Sequence, residues 1–376
     1  MSFPVLLVLA SGLHLYVGWR LVAALDAPWA GALVALLLFG SVALIPAGMM
    51  ARRLLKPPAS DRLVWIGMLF MGFFSSLFVL TLLREVVLVA AWLATQAGAA
   101  LPPLSTPSAW AVVALALAAT LGGLLNARRT ARVKPVQVRI EHLPAGLAGF
   151  RIVQISDIHV GPTIKAGYLQ KIVDRVNALE PDVIAITGDL VDGSVPELAA
   201  HVAPLANLRA RHGVYFVTGN HEYYAGVHGW VAEVQRLGIR VLHNEHVVIA
   251  HGGAQLVLAG VTDFTGHHFD PTHKSDPQAS LAGAPSNVVK VLLAHQPRTA
   301  PAAAQAGFDL QISGHTHGGQ FFPWRYFVPL QQPYTSGLHQ LDSLQVYVSR
   351  GTGYWGPPKR IGAPSEISEI RLAPSA

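Results

Sequence analysis

With 376 residues, of which 52% are hydrophobic and only 13% charged, the chain falls well below the roughly one-quarter charge of a soluble domain, so part of it is built for a membrane. The absence of cysteine excludes disulfides, thiolate zinc sites and a cysteine nucleophile. The formal charge of +6 is uneven: residues 1–134 hold ten Lys/Arg against three Asp/Glu, residues 135–376 seventeen against eighteen, and the second part therefore lacks the basic surface of a nucleic-acid groove.

Four apolar runs open the chain, over residues 3–25, 28–50, 63–97 and 110–125. A helix needs about 20 apolar residues to span a bilayer, and each run supplies that or nearly so. The third is too long for one straight span and contains Arg84-Glu85. It reads as one tilted span continuing into an interfacial helix, with two short spans as the rival. Adjacent helix residues do not face each other, so Arg84 and Glu85 are expected at an interface rather than as an intramembrane pair. His14 and Arg20 get the same reading. Arg52, Arg53, Lys56 and Arg62 lie between the second and third runs, and Arg128, Arg129, Arg132 and Lys134 follow the fourth. Both basic stretches are expected in the cytoplasm, which four spans with both termini inside would satisfy. The first run lacks a basic n-region and is followed by further spans, so it does not read as a cleaved signal. No repeated buried carboxylates or matched broken helices suggest a transport pathway.

The remainder, residues 135–376, alternates short β-rich runs with helical patterns and reads as an α/β domain. Strands are expected over 151–156, 183–187, 214–218, 256–261, 288–294, 310–313, 344–349 and 366–372, and helices over 166–179, 196–208 and 229–237. The stretch 266–285, rich in Pro, His, Asp and Ser, is expected as a long exposed loop. Its His267, His268 and Asp270 read as solvated rather than as substrate ligands.

Chemistry-bearing residues follow five of these strands. Asp157 and His159 follow the first, Asp189 and Asp192 the second, Asn220, His221 and Glu222 the third. His295 follows strand 288–294, and His315 and His317 follow strand 310–313 in Gly-His-Thr-His-Gly. Sites in open α/β sheets form at the carboxyl ends of strands, so one edge collects carboxylate, amide and imidazole. That mixture suits borderline cations such as Mn²⁺, Fe or Zn²⁺. It is too many ligands for one tetrahedral ion and suits two ions bridged by a carboxylate. A Gly-x-Gly-x-x-Gly run at Gly351–Gly356 is no dinucleotide site, because Pro357-Pro358 stands where a helix must open. Tyr354 and Trp355 read equally as a cleft wall or as a cap on the sheet.

These five motifs, Asp-x-His, Gly-Asp-x-x-Asp, Gly-Asn-His-Glu, an isolated His and Gly-His-x-His, resemble those of the calcineurin-like metallophosphoesterase superfamily. The multispan N-terminus, Gly318-Gly319-Gln320 and the stretch 350–355 look like its membrane-anchored bacterial branch. The resemblance implies a four-layer α/β/β/α sandwich preceded by an all-α transmembrane region, with the division at residues 1–134 and 135–376. It implies two divalent metal ions (Mn, Fe or Zn, with Mn favoured). One would be held by Asp157, His159, Asp189 and His317, the other by Asp189, Asn220, His295 and His315. His221 would act on the phosphoryl group or the leaving group, while Asp192 and Glu222 would orient ligands.

The function so implied is hydrolysis of a phosphodiester or pyrophosphate by direct attack of a metal-bridging hydroxide. The expected partners are the lipid bilayer and a membrane-associated phosphoester, the UDP-2,3-diacylglucosamine type included, with no nucleic acid. The expected location is a bacterial inner membrane, with the catalytic domain on the cytoplasmic side. The alternatives are a phosphodiesterase for a soluble nucleotide-type substrate, a membrane sensor or scaffold with an inactive domain, and a transporter with an accessory domain.

Overall fold

The apolar runs become four helices in the computed structural model, which describes residues 3–375: α1 (Phe3–Val22), α2 (Pro28–Leu54), α3 (Ala59–Gln96) and α4 (Ser105–Arg128). By length and composition α2, α3 and α4 can each cross a membrane, while α1 carries a shorter apolar stretch, Leu7–Val22. The third run forms one unbroken helix of 38 residues, roughly 57 Å at the helical rise, against about 30 Å of hydrocarbon. Two short spans separated by a turn therefore do not form. Small residues let α2 and α3 touch: a Cβ on Gly67 would stand 2.6 Å from the Leu44 carbonyl oxygen and 2.9 Å from the Gly48 Cα.

Arg84 and Glu85 depart from expectation. The Arg84 side chain is buried, and its guanidinium reaches round the helix to Glu85 Oε1 at 3.1 Å. It also donates to Ser108 Oγ at 2.9 Å and to the Ser105 carbonyl at 3.0 Å. Glu85 in turn accepts from Arg20 at 2.5 Å. Adjacent positions diverge at Cβ, but a side chain as long as arginine closes that gap. His14 is likewise buried, bonded to Ser41 Oγ at 2.9 Å and stacked 3.5 Å from Phe74.

The chain divides into two compact units, one through Asn126 together with Gly356–Ile361, the other Ala127–Trp355 with Gly362–Ala376. Within the first unit, Lys359 donates to the Gly72 carbonyl at 2.9 Å and to Ser76 Oγ, and the Arg360 N–H bonds the Gly123 carbonyl at 3.0 Å. These residues of the chain's last quarter thus pack with helices from its first third.

In the second unit, β1 (Arg132–Ile140), β2 (Arg151–Ile155), α5 (Ala166–Asn177), β3 (Val183–Thr187), α6 (Val195–Val202), β4 (Val214–Val217), α7 (Asn220–Ala225), α8 (Val227–Arg236) and β5 (Arg240–Val241) come first. Next are β6 (Glu245–His251), β7 (Ala254–Gly260), β8 (Val289–Leu293), α9 (Ala300–Gln305), β9 (Leu310–Ser313), β10 (Gly337–Leu341), β11 (Leu344–Val348) and β12 (Glu366–Pro374). Two six-stranded sheets result, ordered β1-β12-β2-β3-β4-β5 and β10-β11-β9-β8-β7-β6.

One face of each sheet meets the other sheet through Val138, Ile152, Ala185, Leu258, Val291, Ile312 and Tyr347. The outer face of the first sheet is covered by α5, α6 and α8 through Leu169, Ile172, Leu198 and Trp230. The outer face of the second packs Ala300 and Ala303 of α9 against Leu292 and Val346. This is the expected four-layer α/β/β/α sandwich. Covered on both faces, β3 reads as the continuous apolar run Val-Ile-Ala-Ile.

Trp230 is fully buried in the outer core and donates its indole N–H to the Gly193 carbonyl at 2.9 Å, beside Asp192. Trp230→Ala removes the largest buried side chain of that core. A loss of about 3–5 kcal/mol is expected, read as a fall of roughly 10 °C in the unfolding midpoint of the detergent-solubilised protein.

Candidate active site

The parallel strands β2, β3 and β4 and, in the second sheet, β8 and β9 place their following turns at one edge. These turns are tight. Asp157, His159, Asp189, His315 and His317 all have left-handed backbones, with φ between 51° and 71°, a region that side chains enter at a cost and that clusters at functional sites. The turns are laced together: Asp157 N–H donates to the Gly188 carbonyl at 3.0 Å and His159 N–H to the Asp189 carbonyl at 3.1 Å. Gly314 must be glycine, because a Cβ there would lie 2.0 Å from Ser156 Oγ and 2.3 Å from Asp157 Oδ2. That close passage lets the His315 N–H donate to the Asp157 carboxylate at 2.9 Å.

Two sets of donor atoms form, and a third group, His159, Asp189 and His221, overlaps both. Asp157, His159 and His317 each offer one donor atom within 4.8 Å of the other two, and so do Asp189, His295 and His315. His159 Nε2 faces His317 Nε2 at 3.1 Å, and His317 Nε2 is 3.6 Å from Asp157 Oδ1. In the other set His295 Nε2 is 3.2 Å from Asp189 Oδ2 and 3.2 Å from His315 Nδ1. Asp189 Oδ2 also lies 3.9 Å from His159 Nε2, so this one oxygen stands between the sets. Asn220 is buried beside Asp189, and its Oδ1 meets no hydrogen-bond partner.

This donor set fits divalent cations. Two ligand atoms about 2.1 Å from one cation, at right to tetrahedral angles, stand roughly 3.0–3.4 Å apart, which matches the imidazole pairs. Tautomers agree. The carbonyl of Thr187 can only accept, so His295 Nδ1, 2.7 Å from it, carries the proton and Nε2 presents a lone pair. Asp192 Oδ1 lies 3.0 Å from His159 Nδ1 and does the same for that ring. The orphaned Asn220 oxygen is a further acceptor that a cation would satisfy.

Around the donors, supporting contacts fix the edge. Asp192 Oδ1 also accepts from His221 Nδ1 at 2.7 Å, orienting two imidazoles at once. The buried Glu222 carboxylate accepts the N–H groups of Gly219 at 2.6 Å, Leu190 at 2.7 Å and Asp189 at 3.0 Å, tying the end of β3 to that of β4. Burial disfavours the charged form of His221, but the Asp189 charge and the Asp192 hydrogen bond outweigh it and raise the ring to about 9. Burial pushes His315 down to about 3, which keeps that ring neutral.

All ten sequence-predicted residues therefore meet at this edge, while the outlying features divide. Tyr354 is buried, and its hydroxyl bonds the Thr163 carbonyl at 3.2 Å. Trp355 is 53% exposed, with its ring 5.6 Å from that of His221, and Tyr224 stands 5.2 Å from it on another side. The stretch 266–285 is not simply solvated: Phe269 packs on both Tyr223 and Tyr224, with ring centroids 5.7 and 5.5 Å away. Gly351–Gly356 is followed by no helix.

Two supporting contacts were not legible in the sequence. Gln320 and Trp355 exchange hydrogen bonds, each 2.9 Å, between the glutamine amide and the tryptophan backbone, holding Trp355 beside His221. Gln154 lies buried behind the site and donates to Thr187 Oγ1 at 2.7 Å and to the Ser313 carbonyl at 2.9 Å, joining β3 to β9. Its signal was a lone amide within an apolar strand.

A family model described as calcineurin-like phosphoesterase matches residues 150–319. The chain is 41% identical over 271 residues to a transmembrane protein with metallophosphoesterase domain from Danio rerio, covering 69% of this chain and 62% of that one. A protein of the same description from Bos taurus is 43% identical over 261 residues, covering 66% and 59%. The match thus spans about three-fifths of the length of those two relatives. An uncharacterized metallophosphoesterase from Aquifex aeolicus is 33% identical over 243 residues, covering 64% of this chain and 91% of that one. The expected restriction to a bacterial branch does not hold, since the matches include vertebrate proteins.

Proposed function

The chain belongs to the calcineurin-like metallophosphoesterase family, and from that premise we propose that this membrane protein is a metal-dependent phosphoesterase. The observation that carries the reading is Asp189 Oδ2, 3.2 Å from His295 Nε2 in one donor set and 3.9 Å from His159 Nε2 in the other. We assign Asp157, His159, Asp189 and His317 to one divalent cation and Asp189, Asn220, His295 and His315 to a second. When bound, such a pair neutralises phosphoryl charge and supplies an activated water near neutral pH.

The chain's own residues do the rest. The Asp192 carboxylate holds the Nδ1 side of both His159 and His221, so His221 Nε2 is left to face the phosphoryl oxygens or to give a proton to the leaving oxygen. Glu222 keeps the turn of Asp189 in register with that of Asn220. Trp355 and Tyr224, flanking His221, form walls on which an organic part of the substrate can rest. The unit of α1–α4 serves as the membrane region and the unit of the two sheets as the catalytic domain. The basic stretches Arg52–Arg62 and Arg128–Lys134 support a cytoplasmic catalytic side. The membrane helices support a lipid phosphodiester or lipid-linked pyrophosphate as substrate, and the intact donor set weighs against an inactive scaffold.

The test uses the purified full-length protein, stripped with EDTA and then reloaded with Mn²⁺. It is offered phospholipids, lipid-linked pyrophosphates and nucleotides, and products are read by mass. Turnover is expected to fall to background on chelation and to return with Mn²⁺, with lipid phosphoesters cleaved. Cleavage that persists in EDTA, or a metal-loaded protein that cleaves none of the panel, would overturn the reading. Cleavage of nucleotides alone would move the substrate into solution.

A further inference from the structure

A second histidine-rich cluster lies outside the centre described above and shares no residue with it. His228 on α8 and Asp270 and His273 in the stretch after β7 each offer one donor atom, all within 4.8 Å of one another. Asp270 Oδ2 is 3.2 Å from His228 Nε2 and 3.8 Å from His273 Nε2. The other carboxylate oxygen is fixed separately, accepting from the Thr272 N–H at 2.9 Å and from its hydroxyl at 2.7 Å. Oδ2 is thus turned toward the two imidazoles by its own backbone. His273 Nδ1 lies 2.9 Å from the Tyr223 hydroxyl, the outer hydrogen bond that metal-binding histidines ordinarily make. A third imidazole, His243, stands 4.9 Å from His273, and its Nε2 is buried with no hydrogen-bond partner. A surface ion pair between His228 and Asp270 explains neither that orphaned nitrogen nor the convergence of two imidazoles on one carboxylate.

We propose that His228, Asp270 and His273, with His243 as the neighbouring fourth donor, form a separate site for a divalent cation of the zinc type. Two imidazoles and one carboxylate make a ligand set that zinc accepts readily. The His228 side chain is 74% exposed, so a cation reaches the site from solvent without entering the centre around Asp189. The cation would pin the stretch after β7 to α8 and, through Tyr223, to α7. Phe269 of that stretch packs on Tyr224, and Tyr224 touches His221. The site therefore clamps one wall of the cleft rather than taking part in its chemistry.

Zinc alone is the probe. The full-length protein, its His228→Ala variant and its Asp270→Asn variant are each dialysed against buffered Zn²⁺, and bound zinc per chain is measured by mass spectrometry. The comparison is repeated on an Asp189→Asn background, which separates this site from the one around Asp189. Each variant is expected to lose one zinc per chain on both backgrounds, with the dissociation constant of that zinc rising about 100-fold or more. Substituting Co²⁺ gives a second readout, an absorption band of a tetrahedral nitrogen–oxygen site that disappears in His228→Ala. Because His228 is exposed, that variant keeps its fold. Equal zinc content in wild type and His228→Ala, or loss of the zinc only when Asp189 is replaced, overturns the proposal.

Discussion

Asp189→Asn is expected to abolish metal-dependent turnover while leaving the chain folded. The Asp189 side chain uses its oxygens differently. Oδ1 accepts the His221 N–H at 2.9 Å, and Oδ2 faces His295 Nε2 at 3.2 Å and His159 Nε2 at 3.9 Å. Asparagine has the same shape and can keep the first bond through its oxygen. It then turns an amide donor toward the imidazole lone pairs, where an anionic acceptor is needed. A centre that contributes several kcal/mol of transition-state charge stabilisation loses at least about 4 kcal/mol, close to 10³-fold in rate. Turnover of bis(p-nitrophenyl) phosphate, bound metal and the unfolding midpoint are measured together. Wild-type turnover with a full complement of metal would refute the assignment of Asp189 as the shared ligand.

His221→Ala is expected to separate catalysis from metal retention. His221 Nδ1 is committed to Asp192 at 2.7 Å, and its Nε2 is 4.0 Å from Asp189 Oδ2, farther than the close nitrogen pairs of the two donor sets. Its removal should leave both sets intact while lowering kcat by about 10²–10⁴, the range for a positioned proton donor. The leaving group distinguishes the two roles open to it. If His221 protonates the leaving oxygen, a nitrophenyl ester suffers much less than an alkyl ester. If it holds a phosphoryl oxygen, both fall alike. Should bound metal fall in step with the rate, His221 belongs among the ligands.

The site was legible in the sequence because each donor follows a short apolar strand, and parallel pairing gathers the ends of such strands by geometry alone. Asp157, His159, Asp189, His295, His315 and His317 needed only that rule. The strands that escaped prediction sit near the sheet margins. β1 is an edge strand, carries Pro135 and begins inside a basic stretch, so its charge suggested a membrane-flanking loop and masked the alternation from Val136 to Ile140. β6 is also an edge, and the exposed Val248 and Ala250 on its outward face fill in the polar positions that would have shown a strand's alternation. Tyr354 and Trp355 could not be told apart locally. One is buried against the Thr163 carbonyl and the other faces His221, because a tight turn sends adjacent side chains in opposite directions. The Arg84–Glu85 contact was hidden for the converse reason: adjacent Cβ atoms diverge on a helix, but the arginine side chain is long enough to reach its neighbour.

The segment Gly356–Ile361 has a practical consequence for dissecting the molecule. Because it belongs to the unit of α1–α4, the backbone passes between the two units at three places: after Asn126, after Trp355 and after Ile361. A single protease cut near residue 126 therefore cannot liberate the second unit, which stays covalently joined to the six residues that pack with α3 and α4. A truncation starting at residue 127 would carry Lys359 and Arg360, both fully buried in the intact chain, without the helices that enclose them. A soluble catalytic fragment would therefore have to bridge residue 355 to residue 362 with a short polar loop.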